Sequence, residues 1–408
     1  MLTKKIALPW QILTGIVLGV VFGVFLYDYV NYISWMGDLF LRALKMIIIP
    51  LVFSSLVVGV ASMGKSADLG RIAGKTLGFY FATTAIAIVI GIVLVNLFKP
   101  GVGASIPITE SVTSMGEESS FKDLLINIVP ANVFEDLAKG NLLSIIFFAI
   151  ILGVFITQSG ESVKDKLLPI FDSFFQVMMK MTMYIIGFAP YGIFAIVASM
   201  IAKEAGNMET LMSMLSSLGF YTIIVWVGCL IQGFIVLPAA VYFLGKENPW
   251  RFIKKMSSPI LTAFSTCSSG AALPLAMRDI SEKCGVSNKI AGFALPLGAT
   301  VNMNGTALYE GVTVLFIAQV YGVDLSIAQQ FIIVGTVMLA AVGAAGIPMA
   351  GIVMLSVVLS VAGLPLEGVG LVLAVQQLCD MPRTAVNSFG DSCGAVVVAK
   401  SEGEKLTI

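Results

Sequence analysis

Apolar stretches separated by short polar segments follow one another along almost the whole chain. An α-helix needs about 20 apolar residues to cross the hydrocarbon core of a bilayer, and most of these stretches are long enough. The pattern therefore predicts an all-α polytopic membrane protein. We expect the fourth stretch to form shorter pieces, because Pro130, Asp136 and Gly140 interrupt it. The apolar stretches fall at roughly 6–30, 34–62, 72–98, 121–159, 165–202, 210–244, 252–277, 289–321, 327–362 and 369–399.

The composition agrees with a membrane protein and narrows the range of functions. Of the 408 residues, 58% are hydrophobic and 12% are charged, whereas soluble domains carry about 25% charged residues. Histidine is absent, which removes the commonest general base and the commonest metal ligand and argues against most enzymes. The formal net charge is zero and no basic patch is present, so the lipid bilayer and not a nucleic acid is the expected partner. The five cysteines follow no metal-ligand or disulfide spacing.

Basic residues set the expected orientation of the helices. Lys4 and Lys5 precede the first stretch, which is too long for the core of a signal peptide. Further basic residues lie between the second and third stretches, whereas the loop at 99–120 carries three glutamates. Because basic loops stay on the cytoplasmic side, we expect a plasma (inner) membrane protein with cytoplasmic N- and C-termini and this acidic loop outside.

Two apolar stretches have features of re-entrant hairpins. The stretch 252–277 has basic residues on both flanks, and its centre at 265–272 is small and polar. A crossing would place one basic flank outside, so a hairpin that enters and leaves on the cytoplasmic side is the simpler interpretation. The stretch 327–362 has acidic flanks and a helix-breaking centre at 343–351, which predicts a second hairpin that enters from outside. The remaining eight stretches are expected to be transmembrane helices.

The two hairpins belong to an internal repeat. Gly270-Ala-Ala-Leu-Pro274 resembles Gly343-Ala-Ala-Gly-Ile-Pro348, although segments rich in Gly and Ala also match by chance. The first is followed by Asn302-Met-Asn-Gly-Thr306 and the second by Asp380-Met-Pro-Arg-Thr384. Pro382 removes a backbone donor, which predicts a locally broken helix there. Inverted repeats with broken helices that meet near the centre of the membrane are typical of secondary transporters.

A stripe of polar side chains runs along the last apolar stretch. Its members are spaced by three or four residues and therefore share one face of a helix: Asp380, Arg383, Thr384, Asn387 and Asp391. A charge at this depth costs about 3 kcal/mol on insertion scales, so Arg383 is expected to face protein or water and to have a partner. The stripe predicts a binding site or a pathway. The structural alternative is an ion pair between Asp380 and Arg383 that only holds the helix.

The chain resembles the dicarboxylate/amino acid:cation symporter family, the glutamate transporters, over essentially its whole length and most strongly at 250–401. The similarity rests on 302–306, which is close to the family's Asn-Met-Asp-Gly-Thr, on the serine-rich tip of the first hairpin, and on the segment 380–391. It implies a homotrimer in which a scaffold holds a moving transport domain. The implied scaffold comprises 1–75 (helices 1–2) and 121–209 (helices 4–5), and the implied transport domain comprises 76–120 (helix 3 and loop), 210–249 (helix 6) and 250–408 (hairpin 1, helix 7, hairpin 2 and helix 8).

The resemblance also implies a site for an acidic amino acid, and the chemistry of such a ligand agrees with it. Its ammonium needs an anion such as Asp380, and its carboxylates need donors such as the planar fork of Arg383. Family members for neutral amino acids usually lack this arginine, and a C4-dicarboxylate has no ammonium to pair with Asp380. Aspartate or glutamate is therefore favoured, and a C4-dicarboxylate or a neutral amino acid is the alternative. The resemblance places Thr306 at the side-chain carboxylate, Cys267, Ser268, Ser269, Thr384 and Asn387 at the α-carboxylate, and Ile347 and Gly351 at the rest of the pocket.

Coupling to sodium and/or protons is a further implication of the resemblance. The implied first sodium site uses Asp391 with carbonyls of Gly298, Asn302 and Asn387, the second uses carbonyls near Thr300, Ala341, Val342 and Ala344, and the third uses Tyr80, Thr83, Thr84 and Asn304. The family has an aspartate at the position of Asn304, so this third sodium site is in doubt. Glu310 occupies a position associated with the proton in proton-coupled family members, although it could also be a permanently neutral, hydrogen-bonded carboxyl. Gln376 replaces another carboxylate, and both losses argue for an altered sodium stoichiometry.

Two other classes of function fit less well. An intramembrane aspartyl protease needs two carboxylates a few ångströms apart, whereas Asp380 and Asp391 are separated by about 16 Å along one helix. A pure anion channel has no need of a site with paired opposite charges. We therefore expect a secondary active transporter that works by alternating access, and no enzyme.

Overall fold

The computed structural model describes residues 8–61, 67–104, 129–139, 142–204, 208–343, 350–366 and 368–408. All regular elements in these ranges are helical, as the apolar pattern predicts. The first part of the chain forms α1 (Leu8–Phe25), α2 (Ser34–Ala61), α3 (Ala67–Phe98), α4 (Val133–Lys139), α5 (Leu142–Gln158), α6 (Glu161–Ile186), α7 (Ala189–Glu204), α8 (Met208–Ile231) and α9 (Leu237–Phe243). The second part forms α10 (Pro249–Lys255), α11 (Ser257–Thr266), α12 (Ser269–Glu282), α13 (Asn288–Val301), α14 (Asn304–Val320), α15 (Ile327–Gly343), α16 (Ala350–Val361), α17 (Gly368–Leu373) and α18 (Gln376–Ser401).

Helices that could cross a membrane by themselves are few in the described ranges, because most apolar stretches are divided. Two helical segments have the length and the apolar composition of a span, Arg71–Phe98 within α3 and Met212–Phe243 across α8 and α9. The π-helical turn Gln232–Val236 joins α8 to α9. α6 and α7 pass the same test together, but they meet at a bend of 52°. The architecture is that of a helical membrane protein, and the number of eight spans stays a prediction.

Two of the apolar stretches each contain two helices. The stretch 165–202 bends at Gly187, between α6 and α7. Pro190 follows in the first turn of α7, the position where the missing N–H of proline is best tolerated. The stretch 121–159 contains α4 and α5 as separate helices, as predicted, although α4 runs through Asp136. Residues 121–128 and 140–141, which include Gly140, lie outside the described part.

The helices pack in two groups. α1 lies against α7, and α2 lies against α5, α6 and α7. α1 approaches α7 closely at Gly15, Gly19 and Gly23, where a Cβ would come within 2.5–2.8 Å of an α7 atom. Such spacing of small residues allows close packing of membrane helices. In the second group α18 packs against α11, α13 and α14, and α14 also packs against α3. Every residue of α14 from Asn304 to Ala318 is buried, so the polar start of α14 lies in the interior of this group.

The segment 252–277 forms a pair of helices with a tight turn. α11 and α12 pack against each other, and the turn between them is made at Cys267, whose φ of 51° is left-handed. Ser268 follows in an extended conformation and accepts a hydrogen bond from the N–H of Ala271 at 3.2 Å, which caps α12. α15 and α16 also pack against each other, and their connection at 344–349 lies outside the described residues. Both pairs fit the hairpin interpretation, whereas entry into a bilayer from one side stays a prediction.

Two interrupted helices follow the hairpins. α13 and α14 are separated at Asn302-Met303, where the sequence pattern places a break. α17 and α18 are separated at Ala374-Val375, and α18 then runs through Pro382 without interruption. The expected break at Pro382 is therefore wrong. A helix tolerates a missing N–H where the freed carbonyl finds another donor, and here the indole N–H of Trp226 supplies it.

Candidate functional site

The start of α14 crosses the middle of α18 at close range, and this crossing encloses the polar stripe. A Cβ on Gly305 would collide with the backbone of Arg383, so the approach requires glycine. The five side chains of the stripe are only 2–5% exposed. The expectation that Arg383 faces protein and has a partner is confirmed. Helical spacing places these groups on one face, and the packing of α14 separates that face from the surroundings.

Arg383 contacts an anion and an aromatic ring. Its Nε donates to Oδ1 of Asp380 at 2.8 Å, and the Thr384 hydroxyl donates to the same carboxylate oxygen at 2.8 Å. The guanidinium carbon lies 4.6 Å from the centre of the Tyr309 ring, within the range of a cation–π interaction. A buried cation is costly unless it is paired and hydrogen-bonded. These contacts stabilise Arg383 inside the protein, and they include the Asp380 pair that the spacing predicts.

Gln376 and Tyr309 complete the surroundings of the guanidinium. In the amide orientation that satisfies both neighbours, the Gln376 oxygen accepts from Arg383 at 3.1 and 3.3 Å, and its nitrogen donates to the Tyr309 hydroxyl at 2.6 Å. The sequence pattern marks Gln376 only as a lost carboxylate, and it does not single out Tyr309. A signal for Tyr309 is its position three residues after Thr306, on the same face of α14. The neutral amide adds no further negative charge beside Arg383.

The start of α16, in the predicted second hairpin, lies directly against the guanidinium. A Cβ on Gly351 would overlap Nη1 of Arg383, so a small residue is needed there. The structure thus places Gly351, which is predicted to line the ligand pocket, next to Arg383. Ala341 is buried in α15. Ala344, Ile347 and the side chain of Val342 lie outside the described residues.

The turn of the first hairpin meets the beginning of α18. The Gln377 side-chain amide donates to Sγ of Cys267 at 3.1 Å, and Cys267 is almost completely buried. Ser269 is buried as well, whereas Ser268 is half-buried and its hydroxyl caps α12. The predicted Cys267 is thus close to the turn of α18 that carries Asp380, and its contact with Gln377 ties the hairpin to that turn.

Asn387 joins α18 to the start of α14. Its Oδ1 accepts from the backbone N–H groups of Gly305 at 2.7 Å and Thr306 at 3.3 Å, and its Nδ2 donates to the Thr306 hydroxyl at 3.0 Å. The first N–H groups of a helix have no partner within the helix, and Asn387 supplies one from another helix. The predicted residues Thr306 and Asn387 are therefore in direct contact. This capping role was not apparent from the sequence.

A cluster of oxygen atoms surrounds Asp391. Nδ2 of Asn302 donates to Oδ1 of Asp391 at 2.8 Å, and the Tyr80 hydroxyl donates to the carbonyls of Ala294 at 2.9 Å and Asp391 at 3.4 Å. A Cβ on Gly298 would meet both the Asp391 carboxylate and the Tyr80 hydroxyl. The buried Oδ1 of Asn302 has no hydrogen-bond partner in the described part of the chain. A carboxylate beside an unpartnered amide oxygen fits the ligand chemistry of a hard cation.

The residues assigned to a third sodium site have hydrogen-bond partners in two adjoining groups, because a Cβ on Gly390 would lie 2.8 Å from the amide nitrogens of both Asn302 and Asn304. Thr84 and Thr83 donate to Oδ1 of Asn304 at 2.7 and 3.4 Å. Tyr80 instead points to the Asp391 cluster. The hydrogen bonds of the Asn304 side chain within the described residues are thus to hydroxyl groups, and none of them is to a carboxylate. Thr300, assigned to the second site, is exposed and its hydroxyl donates to the Leu297 carbonyl at 2.9 Å.

Glu310 is fully buried in α14. Neither carboxyl oxygen has a hydrogen-bond partner among the described residues. An ionised carboxylate without a donor is unfavourable in the protein interior. The alternative of a hydrogen-bonded neutral carboxyl therefore finds no partner in this part of the structure. Asp380 has its partners on α18, whereas Asp391 pairs with Asn302 in the break between α13 and α14, which does not fit the shared proton of a protease dyad.

Comparison with known proteins shows the family to which the chain belongs. A model of the Sodium:dicarboxylate symporter family matches residues 8–401. The proton/sodium-glutamate symport protein of Bacillus caldotenax is 37% identical over 98% of this chain and 96% of its own length. The proton/glutamate-aspartate symporter of Escherichia coli (strain K12) is 34% identical over 98% of this chain and 93% of its own length. Excitatory amino acid transporter 3 of Oryctolagus cuniculus is 34% identical over 97% and 86%, respectively. Mammalian neutral amino acid transporters match as well.

Proposed function

The chain belongs to the sodium:dicarboxylate symporter family, and on that premise we propose that it carries aspartate or glutamate across a membrane together with sodium and/or protons. The observation that carries the proposal is the buried pair of Asp380 and Arg383, which lies where both hairpins and α14 meet. An acidic amino acid presents one ammonium and two carboxylates, and each needs a partner in a dry site. Relatives named as glutamate and aspartate symporters support the same ligand class.

Binding exchanges one set of charge pairs for another. In the proposed complex Asp380 holds the ammonium, and Arg383 with Thr306 holds the side-chain carboxylate. The Asp380–Arg383 contact of 2.8 Å is given up, but both charges stay paired. The α-carboxylate is held by the hairpin tip at 267–269 together with Thr384 and Asn387. Because Asn387 also caps α14, a ligand on its amide acts on the start of α14 as well.

Charge balance supplies the reason for cation coupling. Asp380 and Arg383 cancel each other, the ligand adds one net negative charge, and Asp391 adds another. Such a site is unfavourable in a low-dielectric interior unless cations enter with the ligand. We assign sodium to the oxygen cluster at Asp391, where it offsets negative charge counted above, and a proton to Glu310, where it removes the charge of that carboxylate itself. Each ligand then strengthens binding of the other, because equilibrium coupling is reciprocal.

The moving part of the proposed transporter is the helix group around α14 and α18. Residues 76–120 and 210–408 form the transport domain, and residues 1–75 and 121–209 form the scaffold. The close packing within each of the two helix groups supports this division. The loaded domain moves within the scaffold between outward- and inward-facing positions. We further propose eight spans, two re-entrant hairpins, a homotrimer, cytoplasmic termini and an inner-membrane location.

Calorimetry of aspartate binding to the purified protein, across sodium concentration and pH, tests the proposal. We expect an affinity that rises steeply with sodium concentration. An affinity that ignores sodium and follows pH assigns the coupling to protons at Glu310 instead. Failure of both aspartate and glutamate to bind under every condition contradicts the proposed function.

Competition with related ligands tests the ligand class. Succinate lacks the ammonium for Asp380, and a neutral amino acid lacks the second carboxylate for Arg383. We expect both to compete at least about tenfold more weakly than aspartate, since each leaves one buried charge unpaired. Tighter binding of succinate, or of a neutral amino acid, would favour the corresponding alternative within the family.

A further inference from the structure

Trp226 supplies a hydrogen bond that Pro382 cannot make. In an α-helix the N–H of residue 382 would donate to the carbonyl of residue 378, four positions earlier, but proline has no N–H. The carbonyl of Leu378 accepts instead from the indole N–H of Trp226 at 2.9 Å. The donor comes from α8, a different helix of the same group. The missing backbone bond of α18 is thus replaced by a side chain 152 positions away in the chain.

The replaced bond lies in the turn that carries the charged pair. Leu378 and Pro382 bracket Asp380, and Arg383 follows directly. The proline ring also crowds the carbonyl four residues before it, so this turn departs from ideal helical geometry unless something fixes it. Trp226 fixes the position of that carbonyl, and with it the direction of the turn on which Asp380 is placed.

Trp226 also contacts the first hairpin. Its ring packs edge-to-face on Phe264 of α11, with centroids 6.0 Å apart and planes at 83°. Phe264 precedes the turn at Cys267 by three residues, and its carbonyl lies 3.9 Å from the Cys267 sulfur. One half-buried side chain of α8 therefore joins the turn of α18 at Asp380 to the hairpin that closes on it.

We propose that Trp226 is a positioning residue for the ligand site, whose indole N–H takes the place of the backbone donor lost at Pro382 and holds the Asp380 turn against the first hairpin. This inference rests on the proposed function for its ligand. A tryptophan that only fills space at this position would be indifferent to the residue at 382. A tryptophan that replaces a missing donor is needed only when that residue is proline.

A double-mutant cycle separates these two roles. The four proteins are the parent, Trp226→Phe, Pro382→Ala and the double variant, each purified in detergent and titrated with aspartate by calorimetry at fixed sodium and pH. Phenylalanine keeps an aromatic ring beside Phe264 and lacks the N–H. Alanine at 382 provides a backbone N–H to the Leu378 carbonyl. We expect Trp226→Phe to weaken aspartate binding about tenfold in the parent, equivalent to about 1.4 kcal/mol, and less than about twofold in the Pro382→Ala background.

Trp35→Phe is the matched control. The Trp35 indole also donates to a backbone carbonyl, that of Tyr32 at 2.9 Å, but this carbonyl belongs to the corner between α1 and α2. We expect the aspartate affinity of this variant to stay within about twofold of the parent. Equal weakening by Trp226→Phe in both backgrounds, or no weakening in the parent, overturns the proposal.

Thermal unfolding of the same four proteins distinguishes failure of this inference from failure of the proposed function. If the parent binds neither aspartate nor glutamate, the proposed function fails, and the melting temperatures alone then test the hydrogen bond. If Trp226→Phe lowers the melting temperature of the parent but not that of the Pro382→Ala protein, the indole N–H replaces the donor that proline lacks. If the two substitutions change the melting temperature additively, this replacement is overturned. A non-additive effect on melting without any effect on the affinity of a binding-competent parent limits Trp226 to a structural role and overturns the positioning role.

Discussion

Arg383→Ala is the substitution that most directly tests the role of the buried pair. In the parent the guanidinium pairs with Asp380 at 2.8 Å, and both side chains are at most 4% exposed. The variant leaves Asp380 buried with the Thr384 hydroxyl on one of its oxygens. The proposed complex also loses the donors for the side-chain carboxylate of the ligand. One substitution therefore perturbs both the free protein and the complex.

The two effects have different sizes and act on different equilibria. Removing one partner of a buried ion pair costs about 3–5 kcal/mol of stability. A hydrogen bond to a charged group contributes about 1.5–3 kcal/mol, so a two-pronged contact with a carboxylate contributes about 3–6 kcal/mol to binding. We therefore expect aspartate affinity to fall at least about a hundredfold. A neutral amino acid still offers its ammonium to the unpaired Asp380, so its binding should improve in the variant.

The assay is calorimetry with aspartate and with a neutral amino acid, after gel filtration has shown that each protein is folded. Arg383→Lys keeps the charge but loses the planar fork and the stacking on Tyr309, so an intermediate affinity is expected. Asp380→Asn combined with Arg383→Ala removes the unpaired charge and should recover stability without recovering aspartate binding. Arg278→Ala is the control at the surface, since Asp279 keeps Lys283 as its partner.

An unchanged aspartate affinity in a folded Arg383→Ala protein would refute the assignment. Arg383 would then hold α18 through an intrahelical ion pair and would not contact the ligand. A loss of aspartate binding together with an equal loss of neutral amino acid binding would indicate a collapsed site, and it would also contradict the proposed division of roles between Asp380 and Arg383.

Three further predictions concern the ion site, the proton and the C-terminal end of α18. Gly298→Ala places a methyl group against the carboxylate of Asp391. We expect the affinity for sodium, measured through its effect on aspartate binding, to fall at least about tenfold. A sodium titration that matches the parent would exclude this site. Glu310→Gln should abolish uptake driven by a pH gradient in proteoliposomes, and uptake that still follows the gradient would remove Glu310 from proton coupling. Hydrogen bonds from Arg71 and Lys75 lower the pKa of Glu402 from 4.5 to about 2. The ionised carboxylate therefore stabilises the fold above pH 4.5, and this contribution is lost as the pH falls towards 2. Glu402→Gln should remove this part of the acid sensitivity in melting experiments between pH 2 and 6, and an unchanged acid profile would contradict the assignment.

Local pattern was sufficient for the features that depend on neighbouring residues. The three- and four-residue spacing from Asp380 to Asp391 places these side chains on one face of any α-helix, whatever the helix packs against. The break at Asn302-Met303 is another local feature, since α13 ends there and α14 begins after it. Pro382 is the exception, because its local effect predicts a break, and a distant donor, Trp226, allows α18 to continue.

Contacts between helices that lie far apart in the chain could not be predicted from the sequence. Tyr80 was grouped with Asn304 by resemblance, and the position of α3 also brings its hydroxyl to the carbonyl of Asp391. Gln376 was marked as a missing carboxylate, although its amide oxygen faces Arg383. Hydrophobic periodicity does not reveal either contact, because each contact depends on which helices cross and at which residues they cross.

The sequence alone determined the all-helical membrane character, the hairpin-like segments and the polar face that contains Arg383. These features follow from the length of the apolar stretches, the composition and the helical period. The tertiary structure alone decided which groups surround that arginine: the ring of Tyr309, the amide of Gln376 and the close approach of Gly351. The physical reason is that a helix fixes the direction of its own side chains, whereas the partner of a buried charge is chosen by the packing of helices that lie far apart in the chain.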